Sequence, residues 1–315
     1  MIEESLNRSH AIMFHHFHDE KHLPSQGSLN SEDFSEMLTW LANRYNLIGA
    51  GEYLEKFESE KLDNKDICLS FDDALLCQYE IAVPILARHN LEAFFFVYSS
   101  AFTENPDKLE LYRYFRTSCF SDIEEFYSAF FSLVNEQFED VLAQHHKLFE
   151  SKNYLCNFQF YSKNDRWFRY LRDQVLGPAI YEEIMSEMIR EKEFFYQNFS
   201  REIWMSEDHL RDLVRRGHIV GLHSYSHPTQ ISKLTFDEQY REYSENFEHL
   251  RSIVGDVVSM SHPCGDYNDD TLEILEKLGL KIGFKSSFGK EKIRCKYEVP
   301  REDHSHIYKK MKNED

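Results

Sequence analysis

Seven short apolar runs punctuate the chain: AIMF (11–14), NLIGA (46–50), DICLSF (66–71), EAFFFV (92–97), HIVGL (218–222), DVVSM (256–260) and KIGF (281–284). Each is short and bounded by polar residues, without the strict alternation of a half-solvated strand, so each predicts a strand covered on both faces. Helical patterns follow them, and strands alternating with helices predict a mostly parallel sheet or barrel. The helices carry start signals: Asn30 and Ser31 ahead of Glu32 and Asp33, the capping box from Thr235 to Glu238, and Asn268 ahead of Asp269 and Asp270. Gly217 and Gly279 stand where helices over 206–216 and 269–278 are expected to stop.

Residues 102–203 break this rhythm. They read as long amphipathic helices, with Phe126, Phe130, Val134, Phe138 and Leu142 at helical spacing. The segment holds 23 of the chain's 47 aromatic residues, too many for a solvated linker. It is therefore expected to be an inserted helical subdomain with its own packing, serving as core, as a lid or as a partner surface through which the chain forms a homo-oligomer. The catalytic barrel is expected to comprise 1–101 and 204–315.

Composition narrows the function classes. A chain of 315 residues with 42% hydrophobic and 15% aromatic content can bury a large core. A formal net charge of −19 repels polyanions, which argues against nucleic acid as a partner and leaves small anionic substrates open. The six cysteines, at 68, 77, 119, 156, 264 and 295, form no CxxC pair, which points to free thiols in a reducing compartment. The first residues, MIEESLNRSHAIMFHHF, lack a basic start followed by an apolar stretch, and no run approaches the ~20 apolar residues of a membrane span. The expectation is a cytoplasmic protein with no transmembrane segment.

Residues just past the C-terminal ends of parallel strands converge at one mouth, where such folds place their sites. Asp72 and Asp73 follow ICLSF there, His223 and His227 of HSYSHP follow HIVGL, and SHPCGDYN follows DVVSM with Pro263 and Gly265 in a tight turn. One carboxylate, two imidazoles and an open position suit Zn²⁺ or a similar divalent ion. Pro228 disfavours helical backbone at His227, so the two histidines are expected to meet the ion through a turn. Adjacent side chains point in different directions, so one aspartate can bind the ion while the other accepts a proton. Taken alone, the DD pair could equally be a helix cap or a solvated turn.

These residues resemble the polysaccharide deacetylase family, the NodB-homology or carbohydrate esterase 4 group. SFDDA (70–74) resembles its T-F-D-D-G motif, HSYSHP (223–228) its H-S/T-x-x-H-P motif, and SHPCGDYN (261–268) a variant of its third. The resemblance covers roughly 1–101 and 204–301. It implies a distorted (β/α)7 barrel that hydrolyses acetamido groups on sugars with one divalent metal ion, zinc first and cobalt, nickel, manganese or iron as alternatives. It implies Asp72 as catalytic base, Asp73, His223 and His227 as metal ligands, and the backbone N–H of Cys264, after Pro263, as oxyanion donor.

The departures from the family carry expectations of their own. Ala74 replaces the usual glycine, a small change if φ there is negative. Ser261 and His262 stand where many members have an arginine that pairs with the base, so either Asp72 is held differently or Arg301 of VPRED (299–303) takes over, with Asp303 beside it as a site candidate. The usual Leu-x-His motif that supplies the general acid is not evident, which leaves His304, His306 and His16 as substitutes. In HHFHDEKH (15–22), His16 and His18 are expected to line the substrate pocket with Pro263, and Asp19 to orient a ligand histidine. Trp167 and Trp204 are either core or platforms for sugar and base rings. The substrate implied is an acetamido sugar, soluble, nucleotide-linked or lipid-linked, in surface polysaccharide synthesis. The alternatives are a deformylase, an O-acetyl esterase, a small-amide hydrolase, or a degenerate relative that binds glycans without turnover.

Overall fold

The computed structural model describes residues 8–156, 161–194, 199–289 and 293–314; the N-terminal residues 1–7, read above for a leader, lie outside them. The chain divides into two compact units, one of Met1–His22, Ser28–Asp107 and Arg201–Asp315, the other of Leu23–Gly27 and Lys108–Ser200.

In the first unit every predicted apolar run contains a strand: β1 (His10–Phe14), β2 (Asn46–Leu47), β3 (Asp66–Phe71), β4 (Phe94–Val97), β5 (Ile219–Leu222), β6 (Ser259–Ser261) and β7 (Ile282–Phe284). An eighth, β8 (Arg301–Asp303), falls in the polar stretch RED. All pairings are parallel, in the order β7-β6-β5-β4-β3-β1-β8, with β2 added beside β3. The two ends of that order nearly meet. Val299 bridges Phe284 of β7, the Lys285 N–H donates to the Val299 carbonyl at 2.9 Å, and the Ala11 N–H donates to the Pro300 carbonyl at 3.0 Å. The sheet is therefore a barrel of seven strands in ring order, as the resemblance implied. Ala11, Cys68, Phe94, Phe96, Ile282, Phe284 and Val299 belong to one buried cluster, although their strands are spread around the ring. Contact among them is what curvature into a barrel produces.

The expected caps are present. Asn30 accepts from the Glu32 and Asp33 N–H groups, and capping boxes start Phe236–Val254 at Thr235 and Asp269–Lys277 at Asn268. Gly217 and Gly279 follow the helices over 207–215 and 269–277 with φ of 90° and 75°, a conformation glycine adopts without a Cβ clash. None of the helices in the described residues is long and apolar enough to cross a membrane.

The second unit contains the helices Lys108–Ser118, Ile123–Lys152, Lys163–Tyr170 and Gly177–Glu191. Phe126, Phe130 and Val134 are fully buried with Phe168, Ile184 and Met185. At Phe138 the long helix bends (φ −140°, ψ 37°), and Phe138 and Leu142 pack, partly buried, against the same core. Trp167 belongs to this core, and so packs against protein instead of offering a sugar platform.

Two predictions concern the barrel. A Cβ on Gly221 would lie 2.6 Å from the Ser259 carbonyl oxygen and 2.9 Å from Phe96, so Gly221→Ala is expected to destabilise the chain by about 1–3 kcal/mol in urea unfolding. His218 accepts the Ala93 N–H on Nδ1 at 3.0 Å, and burial lowers its pKa to about 4. The unfolded imidazole takes up a proton from about pH 6.5 downward while the folded one does not, so stability should fall by about 1.4 kcal/mol per pH unit between pH 6.5 and 4 on this account. His218→Asn should remove that slope.

Candidate active site

The DD pair is placed by the strand before it. β3 is buried along its length, and Phe71 at its end stacks on Phe95 with ring centroids 4.7 Å apart. The chain then passes through the left-handed region at Asp73 (φ 78°) and Ala74 (φ 54°). The condition under which alanine would be a small change, a negative φ, is not met. Alanine carries a Cβ into a conformation that costs non-glycine residues about 1–2 kcal/mol, and tertiary contacts hold it there. The Met205 N–H donates to the Ala74 carbonyl at 2.8 Å, and Leu75 bridges Trp204. Gln78 fastens the loop from the other side, its Nε2 donating to the Asp72 carbonyl at 2.6 Å and the His15 carbonyl at 2.9 Å.

Asp72 meets Arg301 in a two-pronged ion pair, Nη1 to Oδ1 at 2.6 Å and Nη2 to Oδ2 at 2.7 Å, with the guanidinium fully buried. The other donors of Arg301 reach the Lys285 carbonyl (2.7 Å), Ser70 Oγ (3.2 Å) and Ser261 Oγ (2.6 Å). Five N–H groups thus find five oxygen contacts, the condition for a buried guanidinium to be tolerated. Of the two ways the sequence leaves open for holding Asp72, this is the second. Burial pushes the Asp72 carboxyl up, but the Arg301 charge outweighs it and holds the group below its ordinary range, ionised.

Asp73, His223 and His227 converge beside it, with donor atoms all within 4.8 Å of one another. Both Nε2 atoms stand 3.5 Å from Asp73 Oδ1, which is buried and has no hydrogen-bond partner. His223 Nδ1 lies 2.9 Å from the Ser261 carbonyl, which can only accept, so Nδ1 carries a proton and Nε2 is the ring nitrogen that faces the site. Ligand atoms around a tetrahedral zinc with bonds of about 2.1 Å sit about 3.4 Å apart, so the three donors fit the ion that the family implies. The electrostatics agree. Burial lowers the His223 pKa, but Asp72 and Asp73 raise it above its ordinary value, the mark of a negative well that favours a cation. His227 has φ 55°, so the ligands meet through a turn.

The third loop contributes Pro263, buried, and Cys264, whose thiol is exposed and whose φ is 52°. Asp303 accepts the Ser305 N–H at 2.9 Å and lies 3.9 Å from His304 Nδ1. The run HHFHDEKH is arranged differently from expectation. His15, which the sequence reading passed over, places Nε2 3.9 Å from both Asp72 Oδ2 and Asp73 Oδ2, with its side chain 30% exposed. His16 is half-buried beside it, and His18 Nδ1 pairs with Ser28 Oγ at 2.8 Å. Asp19 Oδ1 accepts the Lys21 and His22 N–H groups, so it closes a turn and does not orient a ligand. His304 is buried under Phe14, and His306 is on an exposed helix face. Trp204 is core, donating its indole N–H to the Tyr98 hydroxyl at 2.6 Å. The missed signal for His15 is parity: counting by two from inward-facing Ala11 through Met13 reaches His15.

The polysaccharide deacetylase family model matches residues 182–283, a stretch with His223, His227 and the Pro263–Cys264 turn but without the DD pair or Arg301. No curated protein matches the chain in sequence. Among solved structures, the deacetylase PplD of Streptococcus pyogenes in complex with acetate aligns with a TM-score of 0.55 at 15% identity, over 94% of this chain and 92% of its own. IcaB from Ammonifex degensii aligns at 0.53 and 14%, over 93% of this chain and 87% of its own. The de-N-acetylase from Aggregatibacter actinomycetemcomitans aligns at 0.53 and 14%, over 93% and 94%. At such identities the structural likeness is one of fold.

Removing Arg301 strands a buried carboxylate, so Arg301→Met is expected to lose about 3–5 kcal/mol in urea unfolding at pH 7. Asp72 has a lowered folded pKa, so its contribution is present above the unfolded carboxylate value of about 3.9 and is lost as acid protonates it. The gap between wild type and variant should therefore narrow below pH 4.

Proposed function

We propose that this chain, similar to the polysaccharide deacetylases by family match and in fold, removes the N-acetyl group from an acetamido sugar with one divalent ion, zinc by its donor set. The observation that carries this reading is a buried carboxylate kept ionised by Arg301, directly beside a triad of metal-ligand type. Binding a glycan calls for neither feature. A base next to a cation is what amide hydrolysis needs.

Asp73, His223 and His227 would hold the ion. When bound, it supplies positive charge that polarises the acyl carbonyl and acidifies water. Asp72 takes the proton from the attacking water; its bond to Arg301 aims the carboxylate and keeps its charge. The Cys264 N–H, after Pro263, faces the developing oxyanion, a type of contact worth several kcal/mol in other hydrolases. His15 gives the leaving amine its proton, since its half-exposed ring touches both carboxylates while His304 is buried in packing and His306 is on the surface. Asp303, with His16 and His18, lines the approach.

The six cysteines are all free, which fits a reducing cytoplasm and a soluble or lipid-linked intermediate of surface polysaccharide synthesis as the substrate. The unit of residues 108–200 is assigned as the helical insertion of the barrel.

Zinc-loaded chain incubated with acetamido sugar nucleotides and short acetamido-sugar oligomers should release acetate, read by mass. Asp72→Asn should keep its zinc and lose about 10²–10⁴ in kcat, and His15→Gln about 10²-fold, with a shift of the basic limb of the pH profile. Formate in place of acetate would make the chain a deformylase. Zinc bound at one ion per chain with neither product from either substrate class would overturn the reading.

A further inference from the structure

The loop from His223 to Pro228 turns back through two left-handed residues, Ser224 (φ 61°) and His227 (φ 55°), a path that residues with a Cβ do not take by default. One tie lies within it, the His227 N–H to Ser224 Oγ at 3.1 Å. Besides the His223 ring on the Ser261 carbonyl, further side-chain ties to this loop come from one helix, Phe236–Val254.

Glu242 and Asn246 are four residues apart on that helix and so share a face. Asn246 is fully buried and accepts the His223 N–H on Oδ1 at 3.0 Å. Its Nδ2 donates to the Val97 carbonyl at 3.0 Å and to Ser99 Oγ at 2.8 Å, which anchors it to the end of β4. Glu242 Oε2 accepts the Tyr225 N–H at 3.0 Å and the Ser226 N–H at 2.8 Å, and its Oε1 accepts the Ser226 O–H at 2.7 Å. Three of the four N–H groups from His223 to Ser226 thus end on two side chains, and those to the carboxylate are the stronger, charge-assisted kind.

We propose that Glu242 and Asn246 brace the loop from both ends and set the two imidazoles at ligand spacing before an ion arrives, with Glu242 the main positioning residue. The inference rests on the metal reading above. The bonds that Glu242 and Asn246 make to the loop end on backbone N–H groups and the Ser226 hydroxyl, so the brace acts through the loop backbone. Its effect is on affinity: an ion entering a preset loop does not bear the cost of ordering it.

The test uses the full chain as wild type, Glu242→Ala and Glu242→Gln. Co²⁺ is titrated by its visible absorption, and hydrogen exchange across 223–228 is measured on metal-free protein. Glu242→Ala should raise the Co²⁺ Kd about 10–100-fold, the range for residues that orient metal ligands, and speed exchange in that peptide alone. Glu242→Gln, whose amide oxygen can still accept both N–H groups, should recover most of both effects. A wild type and a Glu242→Ala that bind Co²⁺ equally would overturn the brace and leave the metal site standing, as would exchange that rises throughout the chain. A wild type that takes up no Co²⁺ overturns the metal reading and the brace with it.

Discussion

The buried pair between Arg301 and Asp72 is the interaction on which the site depends. Two adjacent carboxylates in a barrel mouth repel each other and lose hydration, and each must find its own compensation. Asp72 finds a guanidinium at 2.6 and 2.7 Å, and Asp73 finds the imidazoles of His223 and His227 at 3.5 Å. The two charges are thereby separated in role. One is fixed by the protein, and the other stands at a spacing that an ion can bridge.

That pair also couples the chemistry to ring closure. Arg301 lies beside Ala11 on β8, Ala11 lies beside Cys68 on β3, and Asp72 follows four residues along β3 from Cys68. The long side chain of Arg301, on one side of β1, therefore reaches a partner at the end of the strand on the other side. Ser70, Ser261 and Gly221 keep the same inner region small, the serines also serving Arg301 as acceptors. A barrel lacking β8 would leave Asp72 buried and unpaired. The strand that closes the ring thus also carries the partner of Asp72.

Much of the barrel was legible in the chain because parallel strands buried on both faces read as plain apolar runs. β8 escaped that reading because its residues are polar. Arg301 is inside only by virtue of its ion pair, and an apolarity pattern cannot anticipate a buried charge whose partner is some 230 positions away. The cluster of Asp73, His223 and His227 was legible because each motif is local to one strand end. His15 was not, because four histidines crowd one run and only strand parity separates them. The sign of φ at Ala74 stayed open for a related reason: φ at a turn is imposed by what the loop is tied to, here Met205 and Trp204.

Backbone strain marks the same place. Of the ten non-glycine residues with positive φ among those described, five are Asp73, Ala74, Ser224, His227 and Cys264, spread over three strand ends that meet at one mouth. Each costs of order 1–3 kcal/mol and persists only where surrounding contacts over-determine it. Those contacts are polar side chains: Gln78 under the first loop, Glu242 and Asn246 under the second. Stability alone would favour relaxed turns and fewer buried polar groups. A chain that keeps five strained residues around one carboxylate and one triad of ligand-type atoms is holding a geometry that folding alone does not require.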